Sequence, residues 1–176
     1  MNRVKIIGAL AFMVFIIACH SSDTKADTVE LITSPGQQDS LFNNLLQLVD
    51  HSIPEEKRND SLAFLLLPVN ASCPYCRGKT IDSIVSNQHK LDNRHFIIIA
   101  ANAGLKNISG FFKDRNKELP VMPGKLFLDS TNRASQIALV DDKPTMYYAS
   151  NSKVYKKIAS IPASVKEDLQ HFFSGH

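Results

Sequence analysis

"SLAFLLLPVNASCPYCRGK", residues 61–79, opens with a continuous apolar run and closes with two cysteines set two residues apart. The run from Ser61 to Val69 is bounded by a polar loop and by Pro68, the signature of a strand buried on both faces. A second such run, "HFIIIAA", follows at residues 95–101. Between them Ile81, Ile84 and Val85 recur at helical spacing after Cys76, so the connection reads as a helix. Strand, helix, strand with both strands doubly buried predicts a right-handed crossover in a partly parallel sheet, hence an α/β fold. Cys73 and Cys76 then sit where the first strand ends and the helix begins.

Working outward, Leu41, Phe42, Leu45, Leu46, Leu48 and Val49 predict an amphipathic helix of about three turns from Ser40. "HSIPEEKRND", residues 51–60, is a charged surface loop containing Pro54. Leu105, Ile108, Phe111 and Phe112 mark another helix, "KLFLDS" at 125–130 a short strand, and "NRASQIALV" at 132–140 a turn or short helix. "PTMYYAS" and "KVYKKIA", joined by Asn151-Ser152, read as a hairpin. Pro162 is expected to open a last helix with Val165, Leu169, Phe172 and Phe173 on one face. The sequence contains no internal repeat and no low-complexity segment.

The N-terminus, "MNRVKIIGALAFMVFIIACH", places Arg3 and Lys5 before an apolar stretch from Ile6 to Ala18. That order is a secretory signal, and the stretch is short of the about 20 residues a membrane span needs. Its end, Ile16-Ile17-Ala18-Cys19, resembles the lipobox of bacterial lipoproteins. The resemblance implies a signal peptide over 1–18, a lipid on Cys19, and a periplasm-facing location; His20, in place of the aspartate that retains enteric lipoproteins at the inner membrane, implies the outer membrane. Residues 19–34 are then the lipidated N-terminus and tether, and 35–176 the folded domain. The roughly 157 residues after Cys19 suffice for one domain with its own core. With 44% apolar and 21% charged residues the chain is an ordinary globular protein, and a net charge of +3 gives no basis for a nucleic-acid partner.

With Cys19 lipidated, Cys73 and Cys76 remain as a pair in an oxidising compartment. Structural zinc wants four nitrogen or sulfur ligands, and His51, His89, His95 and His171 bear no spacing relation to the pair, so no metal is expected. His95, at the start of a buried strand, reads as a packed or edge histidine. A purely structural disulfide is the other bland reading, although closing so short a loop constrains little chain entropy.

Strand, C-x-x-C, helix start and, much later, Pro144 opening a hairpin together resemble the thioredoxin superfamily over about residues 35–176. Cys73-Pro74-Tyr75-Cys76 matches the active-site position of that family, with the Pro-Tyr pair of glutaredoxins. Pro144-Thr145 matches the cis-proline and threonine facing the dithiol. "LFLDSTNRASQIALVDDKPTMYYASNSKVYKKI" is similar to the later half of extracytoplasmic thioredoxin-like lipoproteins and reductases related to TlpA and ResA. The resemblance implies a three-layer α/β/α fold with a central mixed sheet, and a thiol-disulfide oxidoreductase with Cys73 and Cys76 as catalytic residues. Pro74, Tyr75, Lys143, Pro144 and Thr145 are the expected substrate-binding residues. The chain departs from the family at Ser72, where a tryptophan usually precedes the first cysteine, and at Leu67, where thioredoxins carry a buried aspartate. No acid lies between 61 and 72, so deprotonation of Cys76 falls to water or to a residue remote in sequence.

On this reading Cys73 attacks and Cys76 resolves. Arg77 and Lys79 add positive potential in the first turn, and Lys143, beside Pro144, is expected to bring an ammonium toward Cys73. The expected partners are protein thiols and disulfides, a membrane thiol electron donor, and the membrane itself through the lipid on Cys19; the protein is expected to be a monomer. No cofactor is expected beyond the redox-active Cys73–Cys76 pair. The alternatives are a disulfide oxidase or isomerase on the same fold, and a non-catalytic thioredoxin-fold adaptor.

Overall fold

Every residue of strand β2 (Leu62–Pro68) is buried, as its uninterrupted apolar run predicts. The computed structural model describes residues 28–101, 104–140 and 142–175. The expected signal segment, Cys19 and the expected tether as far as residue 27 lie outside the described residues. β2 pairs in parallel with β3 (His95–Ala100) and antiparallel with β5 (Thr145–Ser150). β4 (Leu126–Asp129) adds in parallel to β3, and β6 (Lys153–Ala159) antiparallel to β5. The edge beyond β6 is taken by β1 (Val29–Leu31), giving the order β1-β6-β5-β2-β3-β4.

Alternation along the strands sends side chains to two cores. Ala63, Leu65 and Leu67 of β2 meet Ile97, Ile99, Met146 and Ile158 on one face. That face is covered by α2 (Pro74–Asn87), α3 (Leu105–Lys113) and α5 (Val165–Ser174), through residues such as Ile81, Ile84, Ile108, Leu169 and Phe172. Leu62, Phe64 and Leu66 face the other way, with Phe96, Ile98 and Tyr147. There they meet Phe42, Leu45 and Leu46 of α1 (Pro35–Leu48), and Ala134 of the short α4 (Arg133–Gln136). The result is the three-layer α/β/α arrangement around a mixed sheet, a thioredoxin-like fold.

Three local features differ from the sequence expectation. α1 starts at Pro35, not Ser40, because proline suits the first helical position while the exposed residues after it carry no apolar period. Val29–Leu31, assigned to the tether, is a strand whose three side chains are all exposed, so no burial pattern marks it. Pro162 does not open α5; the chain turns first, with Ser164 N–H donating to the Ile161 carbonyl at 3.1 Å, and the helix begins at Val165. The β5–β6 hairpin is as expected. Asn151 and Ser152 both take left-handed backbone angles, φ 52° and 59°, and such turns match the twist of the strands they join.

His95 is packed, 8% exposed, with its ring edge-on to Phe172 at 5.2 Å. Burial pushes its imidazole below the ordinary value; Asp92 opposes this, while Arg94 and Lys125 add to it. The unfolded chain therefore takes up the proton first. The stability gained by keeping His95 neutral is complete above about pH 6.5 and is lost as the pH falls further, by at most about 1.4 kcal/mol per pH unit. Urea unfolding at about pH 7.5 and about pH 5.5 checks this: the wild type should lose more stability than His95→Gln, and equal losses would clear His95 of the effect.

Candidate active site

The dithiol is built at the carboxyl end of β2. The Val69 amide still pairs with the Ala100 carbonyl at 2.9 Å, after which Asn70, Ala71 and Ser72 turn the chain into α2. Cys73 is the N-cap of α2, in extended conformation, and Pro74 takes the first helical position. Proline there sacrifices no helical hydrogen bond and arrives with its φ preset. Cys73 and Cys76 are joined in a disulfide, and the Cys76 amide donates to Cys73 Sγ at 3.0 Å. The two sulfurs have unlike surroundings. Cys73 is partly exposed, whereas Cys76 is 0% exposed, in the apolar cluster that includes Leu67, Ile81 and Met146.

The side chains around the pair are largely committed. Tyr75 stands 45% exposed beside the disulfide, with the Lys79 ammonium 5.7 Å from its ring centre. Arg77 donates to the Val69 carbonyl at 3.0 Å and lies 4.6 Å above the Phe111 ring. Its charge therefore serves first to tie the β2–α2 corner to α3. Arg115 lies over Gly78, where a Cβ would come within 2.6 Å of its guanidinium, and pairs with Asp82 at 2.8 Å.

The segment before β5 is brought to the same corner by a backbone bond, Ser72 N–H to the Asp142 carbonyl at 2.9 Å. Pro144 is buried, and the alternation that places Met146 and Tyr148 on the α2 face places Pro144 there too. Its carbonyl accepts from the Ser160 amide at 2.9 Å. The cis geometry implied by the resemblance is not adopted: no peptide bond is cis among the described residues, so Lys143–Pro144 is trans. The trans segment is held locally, with the Thr145 hydroxyl donating to the Lys143 carbonyl at 2.9 Å. Thr145 itself is buried. It and Lys143 line a cleft of about 490 Å³ with Ser135, Lys157 and Ala159, on the sheet face opposite Cys76.

One group escaped the sequence reading. Asp168, 6% exposed, is the only buried carboxylate among the described residues. Its Oδ2 accepts from the Ser160 hydroxyl at 3.1 Å and the Ser164 hydroxyl at 2.7 Å. Through Ser160 the start of α5 is thus locked to Pro144. Leu67, where the resemblance expects an acid, shares the apolar cluster of Cys76.

No protein-family model and no curated protein matches the chain. Among solved structures it is similar to a crystal structure from Chlorobium tepidum, provisionally named thiol:disulfide interchange protein DsbE. The TM-score is 0.44 and the identity 15%, over 68% of this chain and 82% of that one. At that level of likeness, what the chain does must be argued from its own dithiol.

After reduction, iodoacetamide should label Cys73 well before Cys76, as read by mass spectrometry over time; equal labelling would contradict the burial difference. Asp168→Ala removes the acceptor of two buried hydroxyls and should cost about 1–3 kcal/mol in urea unfolding.

Proposed function

We propose that the chain is a thiol-disulfide oxidoreductase that reduces protein disulfides through Cys73 and Cys76, tethered by lipid on Cys19 to the periplasmic side of a bacterial envelope membrane. The observation that carries this reading is the asymmetry of the pair: one sulfur partly exposed at a helix N-cap, its partner buried one turn in. A structural staple needs no such difference; a two-step exchange does.

In the first step the Cys73 thiolate attacks one sulfur of the substrate disulfide, forming a mixed disulfide and expelling the other substrate sulfur as a thiolate. The Cys76 thiolate then attacks Cys73 Sγ and releases the second substrate thiolate. The substrate gains two electrons and, from water, two protons, and the chain is left as the disulfide described above. A membrane thiol donor would restore the dithiol. Bringing Cys73 from the free thiol value of about 8.5 to near 7 needs about 2 kcal/mol of thiolate stabilisation. The helix N-terminus supplies about 0.3–1 kcal/mol of it. The Cys76 amide, aimed at Cys73 Sγ, is positioned to add a hydrogen bond to the charge. With Tyr75 exposed, the substrate strand would lie between Pro74-Tyr75 and the backbone leading into Pro144, while Lys143 and Thr145 line the cleft on the opposite face.

The apolar surroundings of Cys76 favour one second reading, a thioredoxin-fold adaptor that binds a partner without turning over. The two readings separate in an insulin-reduction assay. The oxidoreductase should precipitate the insulin B chain under dithiothreitol and lose at least about 100-fold in rate in Cys73→Ser, while Cys76→Ser should accumulate mixed disulfides. An adaptor would bind its partner equally well with both cysteines replaced. For Lys143, the thiolate absorbance of Cys73 should titrate at higher pH in Lys143→Thr if its ammonium reaches the sulfur; an unchanged curve would make it a bystander.

A further inference from the structure

Ser160, Ser164 and Asp168 are all buried, and they stand together where the chain leaves β6 and enters α5. Asp168 Oδ2 accepts from both hydroxyls, that of Ser160 at 3.1 Å and that of Ser164 at 2.7 Å. Backbone bonds close the start of the helix as well: the Ser164 and Val165 amides donate to the Ile161 carbonyl at 3.1 and 2.9 Å, and the Asp168 amide to the Ser164 carbonyl at 3.0 Å. Enclosing a carboxylate costs solvation that an apolar side chain in the same place would not lose. What the acid adds is direction, because it holds two hydroxyls, and with them two segments, in fixed places.

Ser160 passes that constraint on. Its hydroxyl is held by Asp168 while its amide donates to the Pro144 carbonyl at 2.9 Å. Two residues before Pro144, the Asp142 carbonyl accepts at 2.9 Å from the amide of Ser72, the residue preceding Cys73. The pairing of β5 with β2 and β6 begins at Thr145, so the stretch 142–144 lies beyond the ladder. It is anchored at one end to the corner that carries Cys73 and at the other to Ser160. The carboxylate also acts on β5, which continues from this stretch: the Tyr148 phenol is pushed up to about 12, first by burial and then by the Asp168 charge.

We propose that Asp168 is a positioning residue for substrate binding: acting through Ser160, it sets the backbone at Pro144 that holds an extended protein segment beside Cys73. The inference rests on the oxidoreductase reading and assigns it a substrate class, disulfides within extended polypeptide in preference to small free disulfides. A segment held by main-chain bonds binds only as well as the backbone it meets is placed. A small disulfide reaches the partly exposed Cys73 without that backbone, so its reaction is indifferent to the placing.

Two rates measured on the full-length protein in detergent test the proposal: steady-state reduction of insulin, and the loss of free thiols when the reduced protein meets hydroxyethyl disulfide. Asp168→Ala and Ser160→Ala should each raise KM for insulin at least about 5-fold, with kcat and the hydroxyethyl disulfide rate within about 2-fold of wild type. Ser160→Ala keeps the amide that bonds to Pro144 and loses only the hydroxyl, so it reports even where Asp168→Ala fails to fold, as read by circular dichroism. Asp168→Asn retains an acceptor for the hydroxyls and should return KM to near the wild-type value. The proposal is overturned by an unchanged KM in folded Ser160→Ala, by a hydroxyethyl disulfide rate that falls in step with insulin reduction, or by Asp168→Asn as impaired as Asp168→Ala. A wild type that reduces no insulin at all would instead sink the oxidoreductase reading, and this inference with it.

Discussion

β2 has no side chain that reaches water, and the remaining architecture is organised around that constraint. A strand buried on both faces must sit inside the sheet and must have helices above and below it. Its two apolar sets, Ala63-Leu65-Leu67 and Leu62-Phe64-Leu66, accordingly become the floors of two cores. Its end is equally consequential. Once the ladder with β3 stops at Val69, the chain turns into α2, and the residue that caps that helix is Cys73. The cysteine pair is therefore placed by the burial of residues remote from its own surface.

The corner holding the pair is assembled from distant segments by few but directional bonds. Ser72 reaches Asp142 through the backbone, Ser160 reaches Pro144 in the same way, and Asp168 ties Ser160 to α5. Arg77 adds a fourth connection, to Val69 and to the ring of Phe111. The first of these joins the β-α-β half of the sheet to the hairpin half beside Cys73, and the others brace each half on its own side. Below them the contacts are apolar and interchangeable; at this corner they are specific.

The β-α-β half was legible because doubly buried strands contain no polar residue to blur their limits, and the hairpin because Asn151-Ser152 interrupts two β-rich runs. β1 was not legible, since its residues face solvent and its existence depends on pairing with Lys156, Lys157 and Ile158 far along the chain. The cysteines and Tyr75 were evident from spacing, as the exposure of one and burial of the other sulfur follows from their places on one helical turn. Asp168 was hidden for the opposite reason. An acid in the first turns of an amphipathic helix is usual at the surface, and the hydroxyls of Ser160, just after β6, and of Ser164 close over it. The backbone geometry at Pro144 belongs to the same class: it depends on what Thr145 and Ser160 hold, not on the dipeptide alone.

The disulfide spans only three positions in sequence. Closing so small a ring restricts the unfolded chain by about 2 kcal/mol in the chain-entropy treatment, well below what long-range bridges supply. By thermodynamic linkage, that same quantity is the difference between the tendency of the folded and of the unfolded chain to hold the bond. Two cores, of which only the one on the α2 face includes Cys76, carry the rest of the stability. In the proposed cycle the scaffold would therefore be a nearly constant background, with little of the exchange energy absorbed in refolding.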